Sequence, residues 1–209
     1  MSDAAALPGP APEAAEAPAA ARAAAGARGV LGVVVLALVA RAAVFPFADN
    51  KHGDAPMRAL IAARAAHDPA AAASPRTYYQ FGPLHPMLLA PLVALGGDLS
   101  RTTRAFSLVA GLLTFLPFLR LARRLVGQPR AELAALGLAA SPLAVQASTT
   151  AASEALYLLL FVAMLERLTR ALDDDAAPLG PFAAAGTLAS LAAVTRYDAW
   201  IALPATAAA

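Results

Sequence analysis

Few side chains in this sequence are able to do chemistry, and they stand in small clusters. Asp49 and Asp54 flank Lys51 and His52, Tyr78-Tyr79-Gln80 precede His85, Ser153 adjoins Glu154, and Arg196-Tyr197-Asp198 close the set. A carboxylate at the edge of an apolar medium suits general-base work or cation binding, and a guanidinium offers a phosphate a planar fork of donors. The chain has no cysteine, which removes thiolate nucleophiles, disulfides and cysteine-held clusters. His52, His67 and His85 leave little for a histidine metal site.

Each of these residues also has a purely structural use. Asp54 precedes Ala55-Pro56, the arrangement of an N-cap with proline in the first turn, and Met57, Leu60 and Ile61 follow at helical spacing up to the exit at Asp68-Pro69. Asp49 ranks below Asp54 because nothing orients it. Tyr78 and Tyr79 fit an aromatic belt, whereas His85, between leucine and proline, points more toward a ligand. Glu154 at the start of a helix is favoured by the dipole, and Arg196 and Arg41 either snorkel or meet a phosphate. Asp173-Asp174-Asp175 reads as a solvated loop outside the site.

The elements that position these groups follow from the composition. At 59% hydrophobic and 14% charged residues, with a mean hydropathy of +0.61, the chain is too apolar for one soluble core. Residues 1–27, alanine- and proline-rich, are expected to form a disordered cytoplasmic tail, and residues 28–209 a transmembrane domain. The run 29–47 is longer than a signal-peptide core and reads as an uncleaved first span. The runs 105–122, 131–149, 152–170 and the alanine-rich 178–195 also approach the roughly 20 residues that a bilayer requires. Pro83–Gly96, with three prolines, is too short and broken to cross and is placed as an interfacial or re-entrant helix.

Charge asymmetry supports that placement. With 83–96 at the surface, Arg22, Arg28, Arg120, Arg123, Arg124, Arg130, Arg167 and Arg170 all fall inside, as short cytoplasmic loops prefer. Asp49, Asp54, Tyr79, His85, Glu154, Arg196 and Asp198 then share the outer face. If 83–96 crossed, the basic cluster at 120–124 would move outside. The net charge is only +2, and the arginines sit at the ends of apolar segments, so no nucleic-acid surface is expected.

Taken in order, Arg41 in the first span, GDAPMRALIA (53–62), GPLHPMLLAPLVALGG (82–97), RAFSLVAGLLTFLPFLRLARRLVG (104–127), SPLAVQASTTAASEALYLLL (141–160) and LASLAAVTRYDAW (188–200) resemble the GT-C class of integral-membrane glycosyltransferases. The nearest likeness is to glycosyltransferase family 39, the dolichyl-phosphate-mannose protein mannosyltransferase type, over about residues 28–203. The resemblance implies an all-α, polytopic helix bundle with interfacial helices in the first outer loop, in the cell membrane with its N-terminus in the cytoplasm. It implies sugar transfer from a polyprenyl-phosphate donor to an acceptor hydroxyl outside, with membrane lipid as the setting. By position, Asp54 matches the catalytic acid of the first loop and Glu154 a second outer acid that is often Asp. Arg196 would answer the lipid phosphate, His85 lies in the segment lining the donor, and Tyr79 and Asp198 join the substrate-binding set. Many members carry Asp-Glu where this chain has Asp54-Ala55. No compelling DxD pair stands in the outer loops, so no cofactor or metal ligand is assigned, a divalent metal is left open, and the lipid-linked sugar is the substrate. Relatives are longer, and the chain is expected to be the N-terminal part of a larger enzyme. The rival readings are half of a transporter or flippase, suggested by the broken 83–96 segment, and a non-catalytic membrane scaffold.

Overall fold

A computed structural model describes residues 19–49, 53–68, 70, 81–173 and 179–207, and every element among them is an α-helix. The first, α1 (Ala19–Val44), begins inside the stretch expected to be disordered. Its first turns are alanine and arginine, strong helix formers with no proline to interrupt them. Residues 1–18 lie outside the described residues.

Next come α2 (Ala55–His67) and α3 (Leu84–Ala94), the two short helices expected near the surface. Pro56 occupies the first turn of α2, where its missing N–H costs nothing. Ile61 and Ala65 of α2 pack on Ala90 of α3 with Phe81 alongside, so the pair buries one shared seam. At 11 residues, α3 reaches only about 16 Å, half of a hydrocarbon core.

Asp98 caps α4 (Leu99–Leu113) by accepting from the Arg101 N–H at 2.8 Å. The helix continues past Thr114 into α5 (Phe115–Val126). Together they form the one continuous helix among the described residues, Leu99–Val126, that is long and apolar enough to cross a bilayer alone. The 131–149 run is helical but divided into α6 (Arg130–Ala140) and α7 (Pro142–Thr149). Ser141 and Pro142 explain the break: the serine hydroxyl accepts from the Ala144 N–H, and proline starts a new helix more readily than it continues one. The chain then bends by 115° into α8 (Glu154–Leu172). Against α8 packs α9 (Leu179–Thr195), followed by α10 (Ala199–Ala207).

Small residues let these helices approach closely. Val33 and Ala37 of α1, Phe115 and Leu119 of α5, and Ala135 and Ala139 of α6 make one core. At the N-terminal end of α1, Arg123 bonds both Glu132, at 2.6 Å, and the Gly26 carbonyl, at 3.2 Å, and Arg124 pairs with Asp173. Gly82, just before α3, touches the last turn of α9 so closely that an added Cβ would collide with the Val194 and Thr195 carbonyls. Backbone cannot rotate aside as a side chain would. Gly82→Ala should therefore lower stability by about 1–3 kcal/mol, as overpacking does. Gly137→Ala, in open space on α6, should raise it by about 1 kcal/mol. Thermal unfolding in detergent compares the two; equal effects would mean that the α3–α9 contact is looser than described.

Candidate functional site

A cavity of about 1110 Å³ opens where the end of α1, the head of α2, α7 and the start of α8 meet. Asp49, Asp54, Gln146, Glu154 and Tyr157 give it a polar side, and Val44, Phe47, Leu143 and Leu158 an apolar one. This end of α1 is opposite the end where Arg123 meets Gly26.

Asp54 stands at the N-cap position of α2, yet its carboxylate accepts no capping bond. Its backbone is already helical there, which turns the side chain away from the free N–H groups. Instead Oδ2 lies 3.8 Å from Nη2 of Arg58, one turn later, and the side chain remains 49% exposed toward the cavity. Arg58 itself is buried, with its guanidinium 4.8 Å from the centre of the Phe81 ring. Among the described residues its Nε and Nη1 find no partner.

His85 is completely buried between α2 and α4, edge-on to Phe106 at 5.7 Å, and both ring nitrogens lack a partner among the described residues. Burial, reinforced by the nearby Arg58 charge, pushes it down to about 3, so the imidazole is neutral at any physiological pH. It does not line the cavity with Asp54.

Arg196, just beyond α9, is held by two carboxylates. Nη1 donates to Glu154 Oε1 at 2.6 Å, Nε donates to Asp198 Oδ2 at 2.8 Å, and Nη1 also reaches Ser153 Oγ at 3.4 Å. Two acids and one base make the group a net anion. Glu154 links this group to the cavity: the residue lines it, one oxygen is on Arg196, and Oε2 is buried with no hydrogen-bond partner among the described residues. The structure thus joins Glu154, Arg196 and Asp198 directly, and puts Asp54 and Glu154 in one cavity. Tyr79, with Tyr78, Gln80, Lys51 and His52, lies outside the described residues.

Arg58 is the residue that sequence reasoning passed over. It shares the i, i+3, i+4, i+7 face of α2 with Ile61, Ala62 and Ala65, all buried, and it follows Asp54 by four residues. An arginine on the apolar face of an amphipathic helix is a legible signal. Among the described residues no group of three or more His, Asp or Glu side chains is placed to hold a metal ion.

Removing the cation should leave Glu154 and Asp198 in mutual repulsion. In a double-mutant cycle with Arg196→Gln and Glu154→Gln, the pair should show a favourable coupling of about 1 kcal/mol, modest because both side chains are partly exposed. Strictly additive effects on unfolding would remove the pair from the site's architecture.

Residues 80–209, which contain His85, Glu154, Arg196 and Asp198 but not Asp54, match the model of the family described as dolichyl-phosphate-mannose-protein mannosyltransferase. No curated protein matches the chain, and no solved structure does. With most of its length matched, and with an all-helical architecture in keeping with that match, this chain belongs to the dolichyl-phosphate-mannose-protein mannosyltransferase family of membrane glycosyltransferases.

Proposed function

We propose that the protein transfers a sugar from a polyprenyl-phosphate donor to an acceptor hydroxyl, with Asp54 as general base. The observation that carries this reading is the single amphiphilic cavity shared by Asp54 and Glu154, with an apolar wall fit for a lipid-linked substrate. The acceptor oxygen attacks the anomeric carbon while its proton passes to the Asp54 carboxylate. The bond from that carbon to the phosphate oxygen breaks, and the phosphate leaves on its lipid. A carboxylate one turn from a buried guanidinium and half exposed to the cavity is suitably placed to receive that proton.

Glu154, which lines the cavity, is assigned to a sugar hydroxyl, and Arg196, steadied by Asp198, to orienting Glu154 and facing the phosphate. Tyr79 completes the donor side in this assignment, whereas His85, fully buried and outside the cavity lining, is left with a packing role. The fold then sits in the cell membrane with several crossings, its N-terminus in the cytoplasm and the cavity outside. In support, the Arg123 and Arg124 cluster lies at the end of α1 away from the cavity.

Asp54→Asn should cut transfer from a polyprenyl-phosphate-linked hexose by about 100-fold or more at unchanged membrane expression. Undiminished transfer would take the base assignment from Asp54. A reporter fused after Gly127 should be cytoplasmic; an external reporter would reverse the proposed orientation.

A further inference from the structure

The wall of the cavity formed by α7 is a helix of only 8 residues, with a break before it and a 115° bend after it. A helix of this length has little stability of its own, and each of its ends leaves backbone groups unpaired. Two buried arginines from other helices donate to carbonyls at its two ends. Arg104 of α4 donates from Nε to the Thr149 carbonyl at the C-terminus of α7, at 2.8 Å, and from Nη2 to the Phe45 carbonyl just past α1. Its guanidinium lies over the Phe45 ring, 4.2 Å from the centroid. Arg41 of α1 donates from Nη1 to the Ala37 carbonyl, at 3.1 Å, and to the Ala139 carbonyl at the end of α6. From Nη2 it reaches the Ala144 carbonyl in the first turn of α7, each of the last two at 3.4 Å.

We propose that Arg41 and Arg104 are positioning residues, which clamp α7 to α1 at both ends and so set the wall against which the substrate is held. The chemistry favours arginine specifically. Three of the carbonyls, those of Phe45, Ala139 and Thr149, lie at helix C-termini, where the dipole is negative and a cation is stabilised. A planar fork spans two carbonyls on different helices, whereas an ammonium is a point donor and a carboxamide carries no charge. Of these carbonyls, that of Ala139 loses its intrahelical donor to the break at Ser141-Pro142 and that of Thr149 to the bend after α7, whereas the Ala144 carbonyl also accepts from Ser148 Oγ at 2.6 Å within α7. Neither side chain lines the cavity, so both act through α7, whose Leu143, Gln146 and Thr149 do.

The absence of native cysteine permits a direct test with single-cysteine reporters. On α7, Val145 is buried and Gln146 exposed; on α9, Ala192 is fully buried. In Arg104→Gln, a cysteine at position 145 should react with a water-soluble maleimide about ten-fold faster as α7 opens locally, while one at 192 stays protected. Arg104→Lys should fall between the two, and Arg41→Gln should behave as Arg104→Gln. Unchanged protection at 145 overturns the clamp. Equal deprotection at 145 and 192 overturns it too, because the arginine would then hold the whole fold rather than the wall. The link to catalysis rests on the transferase reading: without added cysteines, Arg104→Gln should lose about 100-fold in kcat/KM, mostly in kcat, as a misplaced wall implies. Full transfer despite an opened α7 would overturn the positioning role. Absence of transfer in the unmutated protein would instead fault the transferase reading, with the labelling still deciding the clamp.

Discussion

A guanidinium removed from water must find acceptors, and in a chain this apolar the acceptors decide which helices meet. Charge at membrane depth is expensive, so each buried arginine acts as a tether to whatever oxygen it reaches. Arg41 and Arg104 reach backbone carbonyls and gather α1, α4, α6 and α7 around one point. Arg196 reaches carboxylates and ties the end of α9 to the start of α8. Among the described residues Arg58 reaches one, Asp54, and leans on Phe81 for the rest.

These different solutions separate the parts of the site. Where the acceptors are carbonyls, the charge is spent on shape and nothing of it faces the cavity. Where they are carboxylates, the polar group remains partly exposed, and Glu154 lines the cavity. His85 is the opposite case, since a neutral ring in a closed apolar seam contributes packing and two idle nitrogens. A family match that begins at residue 80 covers the Glu154–Arg196–Asp198 group and leaves Asp54 to be judged on its geometry.

Much of this was readable from residue order. Every apolar run found by length is helical, α2 starts at Asp54-Ala55-Pro56, and Pro83–Gly96 forms a short helix rather than a span. Length alone makes 131–149 one run, whereas Ser141-Pro142 splits it, because a cap and a helix-starting proline end a helix whatever the run length. The start of α1 at Ala19 lies within the stretch expected to be disordered, because good helix formers follow the prolines that end at Pro18.

The sequence by itself determined the helical class and the list of polar side chains, because periodicity, propensity and hydropathy are local properties. Only the tertiary structure decided how those side chains are paired. Arg196 meets Glu154 across 42 positions and Arg104 meets Thr149 across 45, and no local pattern encodes which acceptor a long, flexible guanidinium will find. For Arg58 the sequence supplied the face of the helix, and the packing of α2 on α3 supplied its burial. The same division explains the cavity: its acids were legible one by one, and their common space exists because α7 is held where two distant arginines place it.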